Sequence, residues 1–289
     1  MGICEGRTII ITGAGGGLGK AYAEALVAEG ANVVVNDIRM DAAEAVAASL
    51  GEKALANNGD ITTMEGAQSI VDAALAKFGE VHGVINNAGV LRDRMFLKLT
   101  EDDWDMVMRV HLRGHFCLAN ILANRWRDQA KEGNEIGGRI INTSSGAGLN
   151  GSIGQSNYSA AKGGIATLTI VQAAELRRYG ITANALAPAA RTGMTEEVFA
   201  DMMKKPDGDA FDFFAPENVA PIVVWLCSEL SADVTGRVFE AAGGKLSVAD
   251  GWRTGEITDK GDRWEPAELT DVVKKLIAES PEQQKCYGT

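Results

Sequence analysis

A buried strand that runs directly into glycines and then into a helix constrains this chain more than any other stretch. Thr8-Ile-Ile-Ile-Thr12 is a continuous β-branched run, the pattern of a parallel strand covered on both faces. Gly13-Ala-Gly-Gly-Gly-Leu-Gly19 follows at once, and an apolar helical pattern from Ala21 to Glu29 is closed by Gly30. Such a junction makes a phosphate cradle. Free backbone N–H groups and the helix N-terminal dipole face the anion, and side chains must be absent for it to come close. The spacing is not G-x-G-x-x-G, because position 18 is Leu. It is T-G-x-x-x-G-x-G, carried by Thr12, Gly13, Gly17 and Gly19 with Leu18 between the last two. Glycine is abundant throughout, at 34 of 289 residues, against a usual share of about 7%.

The rest of the chain repeats the strand–helix alternation. The second strand, Asn32 to Asn36, ends at Asp37. An acid there accepts hydrogen bonds from adenosine ribose hydroxyls and repels a 2′-phosphate, so NAD is favoured over NADP. Gly16 and Ile38 offer no cation to such a phosphate, whereas Arg39 could. Asp41 with Glu44, and Thr62 with Glu65, read as capping boxes of the next two helices. Lys53 to Asn57 is a third strand, after which Asp60 can accept from an adenine amino group while Ile61 flanks the ring. A fourth strand, Val81 to Ile85, ends in Asn86-Asn87-Ala88-Gly89 at the carboxyl edge of the sheet, where ligands bind in such folds. Thr100-Glu-Asp-Asp103 caps a long helix whose apolar stripe includes Trp104, Val107, Met108, Leu112, Phe116 and Leu118. Trp126 to Gly138 reads as an exposed turn. Strands five, six and seven are expected at Arg139–Thr143, Ile181–Leu186 and Gly236–Ala241. Residues 192–215 read equally as a mobile lid or as an ordinary surface insertion. A C-terminal helix begins at Pro266.

Seven alternations without an internal repeat predict an α/β fold: one doubly wound Rossmann-type parallel sheet with helices on both faces and a C-terminal helical extension. The whole of 1–289 is expected to form a single domain, with a core over about 5–245 and the extension over about 246–289.

The chemistry is expected between Ile141 and Gly164. Tyr158 and Lys162 are four residues apart, which puts both on one face of a helix. Ser145 lies at the end of the fifth strand. A phenol, with its reference pKa of about 10, is a poor base near neutrality. A neighbouring ammonium favours the phenolate. Matching it to a pH of about 7–8 needs roughly 2–3 units. Lys162 beside a cationic nicotinamide could supply that shift, and Ser145 could hold a substrate oxygen.

Other functions are disfavoured. The net charge is −11, from 28 basic and 39 acidic residues, where a nucleic-acid binder carries a basic excess. No stretch reaches the roughly 18 apolar residues of a membrane span, and no secretory signal is recognised at the N-terminus. The four cysteines are widely separated and the three histidines lack ligand spacing, so no metal site is expected. Reduced thiols fit a cytoplasmic protein.

The motifs Thr12–Gly19, Asp60, Asn86–Gly89, Ser145 and Tyr158-Ser-Ala-Ala-Lys162, in this order and spacing, resemble those of the short-chain dehydrogenase/reductases. The resemblance covers roughly residues 5–245 and implies hydride transfer between a nicotinamide cofactor and an alcohol or ketone. It implies Tyr158 as general acid/base, Lys162 as the residue that lowers its pKa and binds the nicotinamide ribose, and Ser145 as the holder of the substrate oxygen. It further implies cofactor contacts from Asn87, Gly89 and Thr192, and a homodimer or homotetramer through the long helices. Two positions depart from the pattern. His111 stands where an Asn usually completes a water relay, so it either holds that water or is a satisfied helix histidine. Pro188-Ala-Ala replaces the usual Pro-Gly.

Segments such as Arg109-Val-His-Leu-Arg-Gly114 and Val223-Val-Trp-Leu-Cys227 are similar to the dehydrogenase unit of multifunctional β-oxidation enzymes. That unit acts on (3R)-hydroxyacyl-CoA and on some 17β-hydroxysteroids, which implies an NAD-dependent 3-hydroxyacyl-CoA or hydroxysteroid dehydrogenase, here expected as a stand-alone bacterial chain. Two alternatives are an NADPH-dependent 3-oxoacyl carrier-protein reductase and a catalytically silent NAD-binding regulator. Arg92, Arg94 and Lys98 could grip CoA phosphates or an acidic carrier protein.

Overall fold

The computed structural model describes residues 2–134, 136–193, 203–206, 208, 210–249, 251–282 and 284–287. Strand β1, Thr8–Thr12, is buried along its whole length, as its β-branched composition requires. Around it lie β2 (Asn32–Asn36), β3 (Ala54–Asn57), β4 (Gly83–Asn86), β5 (Arg139–Thr143), β6 (Thr182–Pro188) and β7 (Val238–Ala242). They form one sheet in the order β3-β2-β1-β4-β5-β6-β7, all parallel. The chain reverses its direction of progress between β1 and β4. At such a switch point the loops leaving two adjacent strands diverge and open a crevice.

Side-chain alternation sorts the core into two layers. Ile9, Ile11, Val33, Val35, Ile85 and Ile141 face one side, with Tyr22 and Leu26 of helix α1 (Gly17–Ala28). Ile10, Val34, Val84 and Ile140 face the other, with Ile70 and Val71 of α3 (Met64–Phe78), the helix after α2 (Met40–Leu50). Each such fully buried aliphatic side chain contributes about 1.5–3 kcal/mol.

The sequence expectations are met in class and revised in detail. The sheet has an eighth strand, β8 (Lys245–Ala249), antiparallel to β7. Its side chains are largely exposed, and Leu246 and Val248 are too short an alternation to stand out. The signal that could have found it is Gly243-Gly244, a two-residue turn between the two strands, with Gly243 at φ 56°. Thr63, not Thr62, caps α3 by accepting from Gly66 N. Asp41 lies inside the first turn of α2, whose N-cap, Arg39, makes no side-chain cap. Trp126 is not in an exposed turn. It is 1% exposed, and its indole N–H donates to Val81 O at 2.7 Å.

The long helix is three pieces. Thr100 caps α4 (Glu101–Met108) as expected, and Asp103 completes a capping box with it. A π-helical turn, Arg109–Arg113, interrupts it before α5 (Gly114–Lys131). Of its stripe, Val107 and Leu118 are buried, while Trp104 and Phe116 stay 38% and 48% exposed. Two helices follow β5, namely α6 (Gly146–Asn150) and α7 (Ser156–Leu176), and α8 (Ala220–Cys227) precedes β7. Much of the expected lid, residues 194–202, 207 and 209, lies outside the described residues. Its flanks are anchored: Arg191 pairs with Asp212 and donates to Met203 O at 2.7 Å. The expected C-terminal stripe is present in α9 (Leu269–Glu279), but Leu269, Val273 and Ile277 are exposed. No helix among the described residues is long and apolar enough to cross a membrane.

Candidate active site

The loops that leave β1, β2, β4, β5 and β6 at their carboxyl ends surround a cavity of about 750 Å³. One end is lined by Gly13, Gly15, Gly16, Gly17, Leu18, Asp37, Asp60 and Ile61, the other by Ser145, Gln155, Tyr158 and Lys162. Asn87, Gly89, His111 and Thr192 also face it.

The glycines divide by what surrounds them. Gly13 has φ 63°, and a Cβ there would meet Ala88 Cα at 2.8 Å. A Cβ on Gly19 would stand 2.8 Å from Ala14 Cα. These two permit the turn and its packing. At Gly16 an added Cβ meets nothing within 4 Å, and at Gly17 it meets only Thr192, at 3.4 Å. Those two keep side chains out of the cavity, as a pyrophosphate would require. Asp37 is 8% exposed, and its carboxylate accepts from Gly15 N at 3.1 Å and Arg39 N at 3.0 Å. The Arg39 guanidinium is itself turned onto Asp37, at 3.4 Å. Asn87 Nδ2 donates to Thr12 O at 2.9 Å and Gly13 O at 3.2 Å, tying the end of β4 to the glycine loop. Asp60 accepts from Thr62 N at 2.8 Å. Ile61 is pressed onto Gly114, where a Cβ would come within 2.8 Å of Ile61 Cδ1, so it belongs to the core as well as to the cavity wall. This glycine cradle, with one carboxylate at the end of β2, suits a dinucleotide.

At the other end, Ser145 caps α6 by accepting from Ala147 N at 3.2 Å. Its hydroxyl also stands near enough to the Tyr158 phenol to favour the phenolate. Lys162 is fully buried, donates from Nζ to Thr143 O at 2.6 Å, and lies 5.5 Å from the Tyr158 ring centroid. The structure thus brings together all three residues expected from sequence, from β5's end and one face of α7.

The electrostatics differ from the simple expectation. From the protein's own groups alone, burial pushes the Tyr158 phenol up to about 12, outweighing the nearby Ser145 hydroxyl, which favours the phenolate. Asp93 and Tyr287 oppose ionisation further. Burial also pulls Lys162 down to about 7. A desolvated lysine poised near neutrality is a perturbed group in a cleft, the usual mark of a functional site.

His111 sits on the π-helical turn, 1% exposed, with its ring edge-on to Tyr158 at 5.2 Å. Its Nε2 lies 2.8 Å from Val90 O, while its Nδ1 has no hydrogen-bond partner. Burial and the Lys162 charge hold it down at about 3, so it is neutral. The Val90 N–H also points at Nε2, at 3.1 Å, so the tautomer decides whether Nε2 donates or accepts and which role falls to the unpartnered Nδ1. Gly89 is required beneath it, since a Cβ there would stand 2.5 Å from His111 Cε1.

Several residues of the site escaped sequence reasoning. Gln155 donates to Asp93 at 2.8 Å, and Asn157 donates to Arg92 O and Asp103 O, fixing the start of α7 against α4. Their signal was the polar run Gln-Ser-Asn before Tyr158. Tyr287, from the far C-terminus, had no signal. The expected basic patch is reduced, because Arg94 pairs with Asp103 at 2.7 Å. Among the described residues no cluster could hold a metal ion.

The family model described as short chain dehydrogenase matches residues 7–203. The chain is 42% identical over 293 residues to hydroxyacyl-CoA dehydrogenase ChsB1 of Mycobacterium tuberculosis, covering 96% of this chain and 91% of that protein. It is 42% identical over 252 residues to peroxisomal multifunctional enzyme type 2 of Mus musculus, covering 83% of this chain but 32% of that longer protein. A crystal structure of a short chain dehydrogenase from Mycobacterium avium superposes with a TM-score of 0.92 at 49% identity, over 100% of both chains. A 3-ketoacyl-(acyl-carrier-protein) reductase from Brucella melitensis, complexed with NADH, superposes with a TM-score of 0.76 at 29% identity, over 83% of this chain and 98% of that one. With its glycine cradle and its Ser145–Tyr158–Lys162 group on one cavity, the chain belongs to the short-chain dehydrogenases, a family of oxidoreductases.

Proposed function

We propose that the chain oxidises a 3-hydroxyacyl-CoA, fatty or steroid-derived, or a related hydroxysteroid, with NAD as the acceptor. The observation that carries this reading is the convergence of Ser145, Tyr158 and Lys162 at one end of a cavity whose other end is a glycine cradle closed by Asp37. The substrate class is supported by the relative named as a hydroxyacyl-CoA dehydrogenase, matched over nearly its whole length. Bound in the cradle, NAD supplies the hydride acceptor and a positive charge at its nicotinamide ring.

The chain's own residues do the rest. Gly13, Gly17, Leu18 and Gly19 hold the pyrophosphate on backbone N–H groups. Asp37 takes the adenosine ribose, Asp60 and Ile61 the adenine, and Asn87, Gly89 and Thr192 contact the cofactor between its two ends. Ser145 holds the substrate oxygen. Tyr158 takes the hydroxyl proton at Oη as the hydride leaves the carbinol carbon. Lys162 holds the nicotinamide ribose and stabilises the phenolate. His111, neutral and unpartnered at Nδ1, holds through that nitrogen a water that relays the proton outward. Exposed Trp104 and Phe116 on the long helix support a homodimer or homotetramer. Cytoplasmic residence fits a chain in which none of the four cysteines is in a disulfide.

Reduced nicotinamide formed from a panel of 3-hydroxyacyl-CoA thioesters of both configurations, with hydroxysteroids beside them, tests the reading. No product from any member of the panel would overturn it. Carrier-protein thioesters in the same assay distinguish the carrier-protein reductase, which Asp37 opposes through its repulsion of NADPH.

Asp37→Ser is expected to weaken NAD use by about 10–100-fold, the worth of a hydrogen bond to a charged acceptor, and to raise use of NADP. The ratio of kcat/KM for the two cofactors measures it. An unchanged ratio would remove Asp37 from the cofactor assignment.

A further inference from the structure

Tyr287 lines the same cavity as Ser145 and Tyr158, although it belongs to a tail that stands largely clear of the fold. Residues 251–263 are exposed, α9 presents its apolar stripe to solvent, and the described residues from 281 to 286 are exposed as well. The tail returns to the body at Tyr287. Its backbone N–H donates to Gly151 O at 2.7 Å. Its ring lies against Gly146, where an added Cβ would stand 2.5 Å from Tyr287 Cε2. Cys286 Sγ is 3.9 Å from the corresponding position on Gly151. Gly146 directly follows Ser145, so the ring sits at the end of the cavity where the substrate oxygen is held. It is close enough to Tyr158 that a charge on it opposes ionisation of that phenol.

These contacts are neutral and short-ranged, and each is modest once competition with water is counted. Segments held this way open locally at low cost. A ligand that needs the open form binds more weakly in proportion to the fraction of molecules already open. A ligand that fits beneath the ring carries no such penalty.

We propose that Tyr287 determines substrate size: the C-terminal tail lays its ring over the alcohol end of the cleft, short acyl chains enter beneath it, and bulky ones must displace it. The proposal rests on the reading of this cavity as a hydroxyacyl-CoA dehydrogenase site. Gly146 is the seat, since any side chain there would lift the ring. Gly151 carries the backbone latch.

The test compares a short-chain and a fused-ring 3-hydroxyacyl-CoA on wild type, Tyr287→Ala and Tyr287→Phe. Tyr287→Ala is expected to raise the bulky-to-short ratio of kcat/KM by about three- to tenfold, mainly through a lower KM for the bulky substrate. Tyr287→Phe keeps the ring and is expected to restore the wild-type ratio. Tryptic cleavage after Lys285, followed by mass spectrometry with NAD and a fused-ring 3-oxoacyl-CoA present, reads displacement without turnover. It is expected to accelerate severalfold, while cleavage after Lys274 stays constant. An unchanged or reduced bulky-to-short ratio in Tyr287→Ala, with wild type active, would overturn the gate alone. Wild type inactive on both substrates would overturn the functional reading and the gate with it.

Discussion

Tyr158→Phe is expected to lower the rate of alcohol oxidation by about 10²–10⁴-fold, the usual contribution of a positioned general base. Phenylalanine keeps the ring that stands edge-on to His111 at 5.2 Å and the contact with Lys162 at 5.5 Å. It removes only the hydroxyl that stands beside Ser145. That hydroxyl lines the cavity and is protonated, so its loss leaves no charge stranded and the fold is expected to be as stable as before. Cofactor binding, which depends on the glycine cradle and Asp37 some distance away, is expected to stay within about twofold. Single-turnover formation of reduced nicotinamide, with a parallel cofactor titration, separates the two quantities. A variant within tenfold of the wild-type rate would show that another group takes the proton.

Lys162→Met is expected to lower turnover by a similar factor and, at the same time, to make the protein more stable at neutral pH. The lysine is fully buried, and burial pulls its pKa from 10.5 to about 7. A folded-state value below the unfolded one means that, between about pH 7 and pH 10.5, the unfolded chain holds a proton the folded chain does not. Stability therefore rises with pH across that window and is lowest below it, where the cost of burying the ammonium is fully felt. Methionine of similar length removes this cost. It leaves Thr143 O without its 2.6 Å partner, which offsets part of the gain. A net gain of about 1–2 kcal/mol would raise Tm by roughly 2–8 °C for a chain of this size. Thermal unfolding across pH is expected to show the two proteins furthest apart on the acid side and converging toward pH 10.5. A Tm below wild type at every pH would contradict this account of Lys162.

What was legible from sequence was whatever repeats along the chain or is local. The run of Ile9, Ile10 and Ile11 into glycine announces a two-sided buried strand and a backbone cradle because both requirements act on neighbouring residues. Tyr158 and Lys162 are one turn apart, so helix geometry alone places them together. Three things were not legible. β8 is short and exposed, so its marks are slight: a pair of glycines and the alternation of Leu246 and Val248. The π-helical turn carries His111 onto Gly89 and Val90, a contact between segments about twenty residues apart. Tyr287 reaches the site only because its tail bends back more than a hundred residues to Gly146 and Gly151. The sign of the Tyr158 shift was also hidden. Desolvation depends on everything packed around the phenol, whereas the four-residue spacing to Lys162 suggests only the ammonium that would favour the phenolate.

The central claim is that Tyr158, held high by burial, is brought down to a working base where substrate, lysine and nicotinamide meet. The pH profile of alcohol oxidation at saturating NAD, from about pH 6 to about pH 10, tests this most directly. Because oxidation needs the phenolate, the rate is expected to climb about tenfold per pH unit on its acid limb. It should then level off at an apparent pKa far below the value of about 12 set by the protein's own groups. A rate that is flat across the range, or that falls as pH rises, would contradict it.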